Sequence, residues 1–128
     1  MYDGGKGRFP ATRRLKKRSD YKRVYRCGVA RKRTYFSFHI FQREGPARLG
    51  IVIVRRWGTA VKRNRMKRVI RETFRRNSEL FTGMDIILRP HEVCQGCEAE
   101  EVERLLIKEF REVAGTEVKS EQGKSLSD

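Results

Sequence analysis

An α+β domain is what this sequence predicts, and three observations lead there. At 128 residues the chain has room for one modest hydrophobic core. Two neighbouring strand-type runs precede one long amphipathic helix, and a third strand and a further helix follow it. That long helix, from Thr59 to Arg76, carries its apolar residues on a single side and so needs a layer to pack on.

Taken in order, residues 1–12 hold Gly4, Gly5, Gly7 and Pro10 and read as a flexible N-terminal tail. The folded domain is expected over 13–113. It opens on a cationic arm, Arg13-Arg14-Leu15-Lys16-Lys17-Arg18. Ser19 or Asp20 can cap a short helix from about Tyr21 to Cys27, since either side chain accepts from the free amides of a first turn. Gly28 suits its end. Tyr21, Val24 and Tyr25 share one face by their spacing. That face either docks on the core or offers a ring to a nucleobase, and the residues alone leave both open.

Ala30–Arg33 reads as a basic linker. Thr34–Phe41 is rich in aromatic and β-branched residues and alternates as a strand, with Phe36, Phe38 and Ile40 on one face and Tyr35, Ser37, His39 and Phe41 on the other. Gln42–Ala47, with Gly45-Pro46, is a turn. Arg48–Val54 is a second strand, apolar through its later half and expected to be covered on both sides. The two strands are expected to form an antiparallel hairpin.

Arg55-Arg56-Trp57-Gly58 leads into the long helix, with Thr59 as its N-cap. Advancing about 100° per residue places Met66, Val69, Ile70, Thr73 and Phe74 on one side. Asn64, Arg65, Lys67, Arg68, Arg71, Arg75 and Arg76 cover the other. Like charges three and four apart repel by a few tenths of a kcal/mol per pair, and Glu72 is the one acid within the helix to offset them. A helix that keeps this repulsion faces a polyanion. Met84–Arg89, closed by Pro90, is a third strand. Glu98–Val113 is a last helix with core spacing interrupted by Glu109, and 114–128 reads as a disordered C-terminal tail.

Charge distribution narrows the partner. The chain carries a net +15, but residues 1–76 hold 25 Lys/Arg against 4 Asp/Glu, whereas 77–128 hold 6 against 12. RNA is the leading partner, ahead of DNA and an anionic membrane. No apolar run approaches the roughly 18 residues of a membrane span. The three cysteines are irregularly spaced, which fits a reducing cytoplasm better than a disulfide framework. His91-x2-Cys94-x2-Cys97 has ligand-type residues but no second ligand pair, so no metal site is assigned. No set of carboxylates or histidines converges for hydrolysis, so no catalytic residue is assigned.

Arg63-Asn64-Arg65, set within Gly58-Thr59-Ala60-Val61-Lys62 and Met66-Lys67-Arg68-Val69-Ile70-Arg71-Glu72, closely resembles the signature of the bacterial ribonuclease P protein subunit. Asp20-Tyr21-Lys22-Arg23-Val24-Tyr25-Arg26-Cys27-Gly28 resembles that family's first helix. Leu49–Arg56 and Asp85–Pro90 resemble its strands. Tyr21 and Tyr25 stand where the family often has phenylalanine, and Val54-Arg55-Arg56 where Ser-Lys-Lys is common.

The resemblance implies a small α+β sandwich, a mixed sheet packed by helices in the order α-β-β-β-α-β-α, similar to the second domain of ribosomal protein S5, with the signature helix in a left-handed crossover. It implies a protein that assists an RNA-catalysed, Mg2+-dependent endonuclease removing the 5′ leader of precursor tRNA, with Mg2+ held mainly by the RNA subunit and substrate phosphates. Arg63, Asn64, Arg65, Lys67, Arg68 and Arg71 would contact the ribonuclease P RNA. Tyr21, Tyr25 and Phe36 would line a leader cleft, with Lys17, Arg55 and Arg56 on phosphates. DNA is not an expected partner. A ribosomal or ribosome-assembly protein on a similar fold is the alternative.

Overall fold

The computed structural model describes residues 13–123, so the expected tail 1–12 lies outside the described residues. Seven main elements follow in order: α1 (Arg18–Cys27), β1 (Val29–Lys32), β2 (Phe36–Gln42), β3 (Arg48–Ile51), α2 (Ala60–Arg76), β4 (Met84–Pro90) and α3 (Ala99–Gly123). The order α-β-β-β-α-β-α is the one expected. Among the described residues no helix is long and apolar enough to cross a membrane.

The sheet runs β1-β2-β4-β3. β1 and β4 pair antiparallel with β2, and β3 pairs parallel with β4. The expected hairpin between β2 and β3 does not form, because β4 lies between them. Its run Ile86-Ile87-Leu88 is buried on both faces, as an interior strand requires. The turn after β2 serves this arrangement: Arg43 and Gly45 exchange backbone hydrogen bonds with Gly83 at 2.9 Å rather than closing on each other. Arg43 and Arg48 then grip Asp85 of β4 from both sides, at 2.6 and 2.8 Å. Burial pushes the Asp85 carboxyl up, but hydrogen bonds from Arg48 and Arg43 outweigh it and hold the carboxyl below its usual range.

Three local expectations are corrected. Residues 30–33, read as a linker, largely belong to β1. Its exposed Lys32 and half-exposed Arg31 hide the strand, yet charge is what an outer strand tolerates. α1 begins earlier than expected, with Lys17 at the N-cap and no side-chain cap. Asp20 lies inside the first turn and meets Arg48 and Arg23 at 3.6 and 3.7 Å instead. α3 continues past Val113 to Gly123, where a tail is expected. Helix growth adds one hydrogen bond per residue once nucleated, so it outruns the apolar pattern.

Two layers of packing result. The inner face of the sheet, with Phe36, Phe38, Ile40, Leu49, Ile86 and Leu88, is sealed by Met66, Ile70 and Phe74 of α2 and Val102, Leu106 and Phe110 of α3. Glu109, the polar break in α3, is buried there. Its carboxylate accepts the amides of Tyr35 (3.1 and 3.2 Å) and Phe36 (3.0 Å), which caps the start of β2. The outer face holds only a small cluster, Leu15, Val24 and Ile87, with Tyr21, Phe41 and Val52 packed on it. α1 is its only helical cover among the described elements.

Candidate nucleic-acid interface

Two surfaces meet the solvent with exposed cations or rings. The first is the outward side of α2. Thr59 caps the helix by accepting from the Lys62 amide at 3.2 Å, as its position predicts. Met66, Ile70, Thr73 and Phe74 are buried and Val69 half-buried, so the rest of the helix is turned outward. Asn64, Arg65 and Arg68 are exposed and Lys67 half-exposed. Arg75 and Arg76 instead pair with Glu72 and Glu103, at 2.9 and 2.6 Å. Among the described residues Arg65, Lys67 and Arg68 have no carboxylate partner, so their charge is available to something outside the chain.

Arg63 belongs elsewhere. Its guanidinium folds back and donates from Nη1 to the carbonyls of Arg55 (2.5 Å) and Gly58 (2.9 Å). It braces the turn into α2, where Gly58 sits at φ +71°, a left-handed conformation suited to glycine. Its Nη1 is committed to backbone, which gives Arg63 a positioning role in addition to the RNA contact the resemblance implies. Arg71 is half-buried beside α1, close enough to Arg14 and Tyr21 that burial and then the Arg14 charge push its guanidinium pKa down. It stands at the seam between the two surfaces.

The second surface is the groove left open beside α1 on the outer sheet face. Pairing across the sheet sets Ser37 beside Arg89, and His39 between Ala30 and Ile87. Tyr25 is 45% exposed and stands edge-on to His39, with ring centroids 4.7 Å apart. Tyr21 is half-buried, and its ring crosses β3 over Gly50. A β-carbon there would lie 2.6 Å from the Tyr21 hydroxyl, so any larger residue would push the Tyr21 ring aside. Burial and the neighbouring Tyr25 raise the Tyr21 pKa, so its hydroxyl stays a neutral donor.

Phe36 is not in this groove. It is fully buried in the inner core, one residue out of phase with the outer face, and cannot line the cleft the resemblance assigned to it. His39 takes that place. The alternation of β2 puts His39 opposite Phe36 already in the sequence, but nothing there says which face α1 will cover. Burial and then Arg89 push the His39 pKa down, so its ring is uncharged at neutral pH. Arg89 is the other residue that sequence reading missed; it is exposed on the groove floor.

Arg55 and Arg56 are exposed at the turn into α2, with Arg56 3.3 Å from Glu92. Arg56 also borders a hollow with Arg89, His91 and Pro90, which extends the groove at its Ser37 end. Lys17 is exposed at the start of α1. Lys17 at the start of α1 and Arg89 beside His39 set cations next to the rings of Tyr21, Tyr25 and His39, an arrangement that suits stacking with phosphate neutralisation.

His91 and Cys94 are committed to other partners. The His91 ring meets the Thr34 carbonyl at 3.0 Å through Nδ1 and the Ser37 hydroxyl at 2.7 Å through Nε2. Cys94 is buried, donates to the Tyr35 carbonyl at 3.2 Å, and is pushed up to about 12, mainly by burial. Among the described residues no group of three or more His, Cys, Asp or Glu side chains could hold a metal ion.

Fold and surface together define a small α+β protein with a cationic helix beside an aromatic groove. The family model of Ribonuclease P matches residues 9–114. The ribonuclease P protein component of a Thermotoga species is 36% identical over 107 residues, covering 81% of this chain and 87% of that one. Among solved structures, the RNase P protein from Thermotoga maritima superposes with a TM-score of 0.68 at 31% identity, covering 74% of this chain and 92% of that one. The Staphylococcus aureus RNase P protein gives 0.73 at 26% identity, covering 79% and 94%. This chain belongs to the ribonuclease P protein family. It is a protein subunit of that tRNA-processing nuclease, with ribonuclease P RNA as its partner.

Proposed function

We propose that this chain binds the ribonuclease P RNA through α2 and the 5′ leader of precursor tRNA through the outer-face groove, and so assists endonucleolytic removal of the leader in the cytoplasm. The observation that carries this reading is the separation of the two surfaces. Unpaired Arg65, Lys67 and Arg68 suit the crowded phosphates of a folded RNA. The rings of Tyr25, Tyr21 and His39 suit an unpaired strand, because every base offers a face to stack on.

The catalytic groups, and any Mg2+, would belong to the RNA and substrate phosphates. What this chain contributes is binding and orientation. Its cations lower the repulsion between two RNAs, and its groove holds the leader in one direction away from the scissile bond.

The test mixes the full chain with a bacterial ribonuclease P RNA and precursor tRNA at limiting Mg2+. Stimulated cleavage at the 5′ end of the mature sequence is expected, and folded protein that gives no stimulation would sink the reading. Arg65→Glu with Arg68→Glu should weaken binding to the RNA subunit. It should also flatten the salt dependence, by about 0.9 in log–log slope for each phosphate no longer neutralised.

A further inference from the structure

The side of α2 that turns toward α3 is not fully sealed. A small hollow of about 50 Å³, opening into a mouth that brings the space to about 380 Å³ with solvent included, lies between the first turns of α2 and the segment leading into α3. Its floor is apolar: Trp57, Met66 and Val102. Each of these is at most 6% exposed, so the floor is held by the core rather than by mobile side chains. The rim is polar, with Lys62 and Arg65 on one side and the Gln95 amide on the other.

We propose that this hollow takes one unstacked nucleobase of the partner RNA; the inference rests on the reading of α2 as the RNA-facing helix. Two observations select that occupant. Lys62 and Arg65, at i and i+3, stand on one edge of the hollow, and among the described residues neither has a carboxylate partner. A group entering here is thus met by cations before it meets the apolar floor, which fits a base on a phosphate backbone and not a neutral apolar ligand. Gln95 offers a donor and an acceptor from one planar amide, the pattern that reads a base edge. Val61, 76% exposed, leaves an apolar side chain on the outward surface of α2 one turn before Arg65.

Sequence-specific binding of RNA targets bases splayed out of loops and bulges. A hollow of this kind would set the register of α2 on its RNA, whereas the outer cations supply affinity without register.

The experiment uses the full chain and a bacterial ribonuclease P RNA without substrate. Ala99 is exposed at the lip of the hollow, so Ala99→Phe fills it from outside the core. Binding should weaken by about tenfold with the salt dependence unchanged, because the base is shut out while every phosphate stays neutralised. Gln95→Ala, which adds no bulk, should weaken binding in the same direction. Cys97 also borders the hollow and Cys27 is exposed on α1, so bound RNA should slow alkylation of Cys97 and leave Cys27 reactive. If the unaltered chain does not bind the RNA, the parent reading falls and this inference with it. If it binds, and Ala99→Phe and Gln95→Ala bind equally well or Cys97 stays as reactive as in the free protein, the inference alone is overturned.

Discussion

The two faces of the sheet are made by the same strands and have opposite fates. The inner face of β2 carries Phe36, Phe38 and Ile40, all buried beneath two long helices. The outer face carries Ser37, His39 and Phe41, all only half-buried, beneath one short helix. The contrast separates stability from recognition. Rings that are sealed contribute apolar burial, and rings that are left partly wet remain able to stack on something else.

The division between the faces can be broken most forcefully from inside. Phe38→Ala removes a ring packed 6.0 Å from Phe110 and should cost about 3–5 kcal/mol in urea unfolding. A loss as small as that of a surface change would mean the inner face is not the core. Gly50→Ala should cost about 1–3 kcal/mol by overpacking. It should also lower affinity for leader-bearing substrate, because the new methyl displaces Tyr21. A variant that keeps both properties would show that α1 does not depend on this close approach.

Phe36→Leu keeps most of its volume and should cost less than about 1.5 kcal/mol. It should leave the ratio of precursor to mature tRNA binding untouched; a selective loss of precursor binding would restore Phe36 to the groove. His39→Ala should have the reverse profile, with stability changed by less than about 1 kcal/mol and precursor affinity reduced severalfold. The smallest effect is a titration. Burial and Arg89 lower the His39 pKa, so between its folded value and 6.5 the unfolded chain binds more protons. Stability from this site is therefore present above about 6.5 and lost as pH falls through that window. NMR titration of the ring should give a midpoint below 6.5, moving upward when a leader oligonucleotide brings phosphate near. An unshifted midpoint would mean His39 is not shielded by α1.

Legibility follows the range of the interactions involved. Thr59 is readable as a cap because capping depends on residues within one turn. The apolar stripe of α2 is readable because its period is local: Met66, Ile70, Thr73 and Phe74 are the residues it buries. Strand β1 escapes a sequence reading because its charges mimic a linker and its pairing with β2 is not encoded in its own four residues. The hairpin expectation fails because neighbouring strands with a turn usually pair, whereas here Asp85 and the run after it claim the interior place. Arg63 looks like one more cation of the signature. Its Nη1 also holds the Arg55 and Gly58 carbonyls, which only the folded turn brings within reach.

The class of elements, their order, the cationic side of α2 and the family to which the chain belongs are all settled by the sequence alone. These rest on periodicity, composition and a contiguous motif. Three further facts needed the folded chain: β4 separates β2 from β3, Phe36 is core while His39 is groove, and Arg89 joins Tyr25 on one surface. A strand's alternation divides its residues into two faces but cannot say which face a distant helix will seal. That choice is made by the packing of residues far apart in the chain.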